Sequence, residues 1–520
     1  MNIFNRKHIA TNPSLVTVTA LGLVLGALAA TPAQAASGKS SPDDVAKQLE
    51  ALSRKVQQLE SQLAAQKAAP QYELEQKVKI LERKQEIADE DAAKAKKETP
   101  VVVASEKGFG LKAPDGSFEF KLRGLVQADT RVFDNGYKGQ YSTPAGTHNA
   151  IDNEVLRRAR PIIEGTFYNK YGFRITPEFA GTATTLVDAY VEGNYDPAFK
   201  VRVGKFTPPL GLERLQSSAD TKFNELSLVS DLIPARDVGI QVGGDLFDNT
   251  VNYTVGVFNG AIDGATADNS DNNTDKELQA RVFAQPFINQ PGFFQGLGLG
   301  VAVSSNDHLG TTGSTGLAKF KTLGQEDFFS YRTDTSATDT VIANGERTRL
   351  VPQFHYFNGN VGLTGEYVTE SQDLDRFNGA GLPTQKATID TDAWQLTAAW
   401  TITGEDQSLK GIKPAQNFEP GKGWGAWELV ARVGELNVDK DAFRGPTGAL
   451  GNVNSFADPT KSAQNAANIG VGVNWYLNKA LRVSLDYDHT AFNWGGGGAA
   501  ATPADRQDED VLIGRVQASF

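Results

Sequence analysis

Arg157, Arg158, Arg160 and Arg174 fall within eighteen residues of "NEVLRRARPIIEGTFYNKYGFRITPEFAG" (Asn153 to Gly181), in a chain whose formal net charge is −11 at pH 7. Clustered guanidinium groups repel one another unless solvent or a counter-anion screens them. A second group, Arg214, Ser217, Ser218 and Lys222, lies in "TPPLGLERLQSSADTKFNELSLVSDLIPAR" (Thr207 to Arg236), interleaved with Leu210, Leu212 and Leu215. Forked guanidinium donors with hydroxyls nearby bind phosphate or carboxylate in bidentate fashion. Nucleophilic or metal chemistry has little support. The histidines are His8, His148, His308, His355 and His489, with no nucleophile elbow or metal-ligand spacing around them, and there is no cysteine. No metal and no cofactor are expected. Arginine runs are most often solvated faces, so the elements that carry them decide their meaning.

The chain opens with Arg6, Lys7 and His8, an apolar run from Leu15 to Ala30, and then Ala33, Gln34 and Ala35. That is the pattern of a secretory signal peptide over residues 1–35, cleaved after Ala35. The apolar run is short for a membrane anchor and consists mostly of small residues. No later stretch has the length of a transmembrane helix, so any membrane role falls to strands. Without cysteine a disulfide framework is excluded. The 52 glycines and a hydrophobic content of only 40% suit a strand-rich chain with many turns.

Residues 41–98 are rich in Ala, Gln, Glu and Lys and lack glycine. Val45, Leu49, Leu52, Val56, Leu59 and Leu63 step alternately by four and three, which is a coiled-coil seam. Pro70 is expected to interrupt it, with Leu74, Val78 and Leu81 beginning a weaker second seam. A long broken trimeric stalk and a folded-back helical hairpin both fit. Residues 99–115 read as a linker, and residues 116–520 as one strand-rich domain.

From Gly116 onward the pattern has period two. "FEFKLRGLVQADTRV", "AWQLTAAWTI", "WELVARVGEL", "NIGVGVNWYL" and the terminal "DVLIGRVQASF" alternate apolar with polar residues. Such alternation also suits a soluble sandwich, but the number of strands, the leader and the terminal Phe520 favour a lipid-facing barrel. Connection lengths agree, with a short loop near Gly181 as the exception. Short turns fall at Asn169-Lys170, Asp196-Pro197, Asp248-Asn249, around Pro291, at Asn358-Gly359 and at Asn478-Lys479, between long links such as Thr207 to Arg236 and Ser305 to Arg347. Of seventeen possible strands, "DFFSYRT" (Asp327 to Thr333) is assigned to a loop by parity, which leaves a sixteen-stranded antiparallel transmembrane β-barrel. The Gly404 to Gly423 connection is too long for a hairpin and has no explanation at this level.

Sixteen strands enclose an aqueous channel. With Phe120, Leu122, Val126 and Val132 toward lipid, Lys121, Arg123, Gln127, Asp129 and Arg131 point inward; the following strands add Arg158, Arg160, Glu164, Arg174, Glu178, Lys200 and Arg202. Arg157 breaks the alternation and belongs at a rim or bulge. Rows of Arg and Lys favour anions in pores. Asp129, Glu164, Glu178, Asp188 and Glu192 share that wall, however, and mixed charge also describes an unselective pore with a transverse field. The thirty-residue link with its regular leucines forms either an inward constriction or an extracellular cap.

The segments "LRRARPIIEGTFYNKYGFRITPEFA", "VDAYVE", "VRVGKFTPPLGLERLQSS" and "RDVGIQVGGDL", with weaker agreement through "WELVARVGELNV", "NWYLNKALRVSLDYDH" and "GRVQASF", resemble the phosphate- and polyphosphate-selective outer-membrane porins. The resemblance implies a homotrimer with the third loop folded into each lumen. It also implies that Arg157 and Arg158 join a ladder guiding anions, and that Arg214, Ser217 and Ser218 occupy the positions of a phosphate-binding lysine and two serines. Asp188 would be a neighbouring lumen residue. The chain departs from the pattern after the serine pair, where Asn224, Glu225 and Leu226 replace a run toward an arginine, a change that weakens an anion site.

The expected function is passive diffusion of small anions, phosphate first, across the outer membrane, with the coiled coil in the periplasm. Outer-membrane lipid and the cell wall are the expected surroundings; no nucleic-acid partner is expected. The alternatives are a general or differently selective porin, an envelope-tethering protein, and a barrel enzyme.

Overall fold

The computed structural model describes residues 42–105, 108–134, 141–143, 146–148, 150–268, 275–333, 340–377 and 383–520. The expected leader and its cleavage site lie outside these, as do parts of the Phe133 to Glu154 link and of the acidic Asp268 to Asp275 loop. The chain divides into two compact units, 1–94 and 95–520.

The first unit is built on one helix, α1 (Pro42–Glu98), which runs through position 70 without the expected interruption. An interior proline costs about 3 kcal/mol, and the long runs of Ala, Gln, Glu and Lys on either side hold the helix against that cost. The seam residues Leu49, Leu52, Val56, Leu59 and Leu63 are exposed.

The second unit is a closed antiparallel barrel. Its sixteen strands are β1 (Phe118–Phe133), β2 (Asn153–Phe167), β3 (Tyr171–Glu178), β4 (Thr185–Asp196), β5 (Phe199–Phe206), β6 (Asp237–Leu246), β7 (Val251–Phe258) and β8 (Glu277–Ala284). They continue with β9 (Leu297–Leu309), β10 (Val341–Asn358), β11 (Val361–Phe377), β12 (Pro383–Thr401), β13 (Ala426–Val438), β14 (Asn465–Tyr476), β15 (Leu481–Asn493) and β16 (Glu509–Ser519). Each strand pairs with the next, and β16 closes on β1 from Val511↔Phe133 to Ser519↔Leu125. Closure removes the sheet edges that would otherwise expose unpaired backbone in lipid.

Alternation sets the two faces. Along β1 the side chains of Phe120, Leu122, Val126 and Val132 are exposed on the outside, whereas Gln127, Asp129 and Arg131 are buried inside. Tyr168, Phe247, Phe293 and Phe294 are exposed at or beside the short turns and Trp424 at the end of the Gly404 to Gly423 connection, as expected of an interfacial aromatic girdle. Those turns use left-handed backbone at Tyr168, Asn169, Phe247, Asp248, Asn249 and Gly359.

Residues 99–115, expected to be a linker, instead hold a hairpin, Val101–Ser105 against Gly108–Lys112, whose second strand pairs with β1 through Phe109↔Leu122 and Lys112↔Glu119. The reason is a length mismatch. β16 ends opposite Leu125, so the first residues of β1 would be an open edge, and the hairpin covers it.

"DFFSYRT" contributes no barrel strand. Asp327–Ser330 pairs only with Lys319–Lys321 inside a long loop, as the parity argument requires. The loop Thr207 to Arg236 folds into the barrel rather than capping it. Gln353, Asn474, Arg482 and Gln127, from β10, β14, β15 and β1, donate to the backbone carbonyls of Leu210, Lys222, Thr221 and Ser218. Its Leu210, Leu228, Val229, Leu232 and Ile233 join Phe320, Phe328, Phe329, Phe443 and Phe492 in an apolar plug. Leu212 is buried as well, but Leu215 is exposed, so the leucine spacing does not mark every packed position.

The long Gly404 to Gly423 connection now has a physical account: it reaches inward. Gln407 is buried, accepts from Lys222 Nζ at 2.7 Å, and donates to Glu428 Oε1 at 2.9 Å. Ile412 packs with Ala426 and Tyr476. A turn that meets the constriction loop from the opposite side needs more residues than a hairpin.

Candidate functional site

The site is built where β1, β2, β13, β15 and β16 face the constriction loop. Arg157 reaches it because of a break in register: Gln127 pairs with Arg158, whereas Ala128 pairs with Leu156. Arg157 is thus the extra residue of a β-bulge, which lets two consecutive arginines serve the interior.

Arg157 makes a bidentate pair with Glu225 of the loop, Nε to Oε1 at 2.6 Å and Nη2 to Oε2 at 2.9 Å. Arg131 reaches the same Oε1 at 2.8 Å and Arg515 at 3.3 Å. Arg515 also holds Asp129 with contacts of 2.6 and 2.7 Å, and donates to the Asn224 carbonyl at 2.5 Å. Arg432 donates to the Glu225 carbonyl at 3.0 Å. Burial alone would raise the Glu225 carboxyl. Arg157, followed by Arg515 and Arg131, more than offsets that and holds it well below the ordinary carboxylate range.

Arg158 differs from its neighbours. Its side chain is buried, it makes no ion pair among the described residues, and its Nη1 donates to Gln127 Oε1 at 2.5 Å, leaving Nε without a partner. Gln127 in turn donates to the Ser218 carbonyl at 2.9 Å, and Arg160 Nη1 reaches Ser218 Oγ at 3.3 Å. Ser218 is therefore tied to Arg158 through Gln127 at its carbonyl and to Arg160 at its hydroxyl, although Arg160 also holds Glu178 at 2.6 Å.

The remaining expected residues are distributed elsewhere. Arg123 and Arg174 share Glu164, at 2.9 and 2.7 Å. Arg202 pairs with Glu192 and lies 4.5 Å from the Tyr190 ring centroid. Asp188 is held by Arg236 at 2.7 Å. Arg214 turns back on its own loop to donate to the Ser230 carbonyl, so the structure does not bring it to Ser218. Ser217 is exposed and lines a cavity of about 510 Å³ together with Lys121, Arg123, Lys410, Lys479 and Arg482.

Sequence reasoning did not single out Gln127, Arg515 or Arg432 as site residues, and it grouped Lys222 with the loop's basic and hydroxyl residues without its partners Glu428 and Gln407. Alternation had placed Gln127 and Arg515 inside, but nothing local shows which inward groups a loop more than ninety residues away will meet. Glu225 was legible only as a departure in the loop, without its three partners.

The chain is 25% identical over 404 residues to Porin O of Pseudomonas aeruginosa, covering 74% of this chain and 86% of that protein. Among solved structures, the outer-membrane channel DcaP of Acinetobacter baumannii matches with a TM-score of 0.49 at 11% identity, over 79% of this chain and 99% of that one. OmpT of Vibrio cholerae matches at 0.46 and 10% identity, over 81% of this chain and all of that one. The family model of phosphate-selective porin O and P matches residues 120–509, nearly the whole barrel, and the chain belongs to that family.

Proposed function

We propose that this outer-membrane porin passes small anions by passive diffusion, with inorganic phosphate or polyphosphate as its solute. The observation that carries this reading is Arg158, a buried guanidinium with no carboxylate in ion-pair contact among the described residues, linked through Gln127 to Ser218, whose hydroxyl meets Arg160. A phosphate oxygen there would meet a charged fork and a hydroxyl, the donor set that recognises phosphoryl groups. Belonging to a porin family, the chain is a channel rather than an enzyme.

The test is the reversal potential of the purified protein in a planar bilayer under a chloride gradient, repeated with phosphate added. Anion selectivity with phosphate block of the chloride current, both lost in Arg158→Gln, supports the reading. A cation-selective or unselective wild type, or a block that survives in Arg158→Gln, refutes it.

The alternative is a general or differently selective pore. It is favoured by the pairing of Arg123, Arg131, Arg157, Arg160, Arg174 and Arg202 with carboxylates. The exposed seam of α1 supports a homotrimer whose helices associate in the periplasm, where they would also meet the cell wall.

A further inference from the structure

Glu225 occupies the place where a solute anion would sit. Its carboxylate takes the bidentate fork of Arg157 and the ends of Arg131 and Arg515, which is the arrangement that a free carboxylate or phosphate would adopt with three guanidiniums. It is delivered by the constriction loop, whose backbone is fixed on both sides of residue 225. Asn224 N donates to Asp486 at 2.6 Å, Asn224 Nδ2 donates to the Ile513 carbonyl at 3.0 Å, and Arg432 holds the Glu225 carbonyl. A group fixed in this way competes at an effective concentration that a dissolved anion of the same chemistry does not reach.

We propose that Glu225 is the specificity-determining residue of the pore: a tethered carboxylate that keeps permeating anions out of the Arg131, Arg157 and Arg515 triad and leaves them the Arg158 side of the lumen. Three guanidiniums share two carboxylates, Asp129 and Glu225, so the charge at position 225 sets the excess that a passing ion feels. The inference deepens the anion reading and rests on it for the identity of the solute alone.

A purely structural pin would behave differently. Loss of either partner of the Glu225–Arg157 pair would then loosen the same loop and move selectivity in the same direction. A selectivity role requires opposite directions, because one variant removes a negative charge and the other a positive charge.

The test compares full-length wild type, Glu225→Gln and Arg157→Gln as bilayer channels under a potassium chloride gradient. Heat-modifiable gel mobility confirms folding of each. Glu225→Gln should raise the chloride-to-potassium permeability ratio about sevenfold, because one unit charge roughly 7 Å away in water changes the local level of each ion about 2.7-fold, in opposite directions for chloride and potassium. Arg157→Gln should lower it by a similar factor. Glu225→Asp, which keeps the charge and fits the pocket less well, should stay near wild type. Shifts of the same sign in the two glutamine variants, or no shift, overturn the inference, whatever phosphate does. If wild type shows no phosphate block but the two opposite shifts appear, the phosphate reading fails and the assignment of Glu225 stands. Should Glu225→Gln not fold, Glu225→Asp and Arg157→Gln decide: the inference stands if only the latter lowers the ratio, and falls if both change it alike.

Discussion

Lys222 is the point at which the constriction loop, the barrel wall and the long inward turn are tied together, so its removal gives a sharp expectation. Its ammonium lies 2.7 Å from Glu428 Oε1 and 2.7 Å from Gln407 Oε1. Both charged partners are nearly inaccessible, with side-chain exposures of 8% and 0%. Removing one partner of a buried pair strands the other, which typically costs about 3–5 kcal/mol. Here Glu428 keeps three neutral donors, Gln407, Asn474 and Tyr476, each at 2.9 Å, so the expected loss in Lys222→Met lies near the lower end, about 3 kcal/mol. That is on the order of a hundredfold in the folded-to-unfolded ratio. Urea titration of the detergent-folded barrel, followed by tryptophan fluorescence, measures it. The double variant Lys222→Met with Glu428→Gln should recover most of the loss, because it removes the stranded charge while keeping an acceptor for the donors. A single variant that loses less than about 1 kcal/mol, or a double variant no better than the single, would show that the pair is solvated and does not hold the loop.

Other expectations concern selectivity, backbone and assembly. Because Arg157, Arg515 and Arg131 hold the Glu225 carboxyl below the usual range of 4.5, it stays ionised as pH falls through that value. Whatever stability it lends is present above the ordinary carboxyl range and is lost only as pH drops through its depressed value. The gap in reversal potential between wild type and Glu225→Gln should therefore persist from pH 7 down to pH 4, and closure of the gap near pH 4.5 would contradict the tight pairing. Gly204 has φ +131°, and a Cβ there would lie 2.2 Å from the Ala189 carbonyl oxygen; Gly204→Ala should reduce the folded yield, visible on heat-modifiable gels, by more than any substitution at exposed Leu215. Deleting residues 42–98 should leave strand content by circular dichroism unchanged but lower the trimer fraction by light scattering in detergent, since the exposed Leu49, Leu52, Leu59 and Leu63 seam is lost.

How far the sequence reaches is clearest at β1 and β2. Period-two alternation is a local property, so it places Gln127, Asp129 and Arg131 inside without any knowledge of the neighbouring strand, and the same rule marks Arg157 as the misfit that becomes the bulge. Parity of loop lengths reads equally well, and removes Asp327–Ser330 from the barrel. What does not read locally is which inward groups meet. Glu225 and Arg157 are 68 residues apart, and Lys222 and Glu428 are 206 apart. Their pairing depends on where a thirty-residue loop settles after the wall has closed. The hairpin at Val101–Ser105 and Gly108–Lys112 was illegible for a related reason, since only the end of β16 at Ser519 reveals that β1 has an edge to cover.

The pairing of so many arginines bears on how such a pore can be selective at all. A lumen of bare guanidiniums would repel itself and destabilise the barrel, and a single strong anion site would trap what it binds. Carboxylates at Glu164, Glu178, Glu192, Asp129 and Glu225 relieve the repulsion, each with at least one arginine at 2.5 to 2.9 Å. Residual attraction then depends on the few guanidiniums that meet no carboxylate among the described residues, of which Arg158, held only by Gln127 and with its Nε unpartnered, is the clearest. On this argument selectivity is set by the imbalance between guanidinium and carboxylate at the constriction rather than by the number of arginines. A chain with acidic overall charge can therefore favour anions, provided that the imbalance lies where the loop narrows the path.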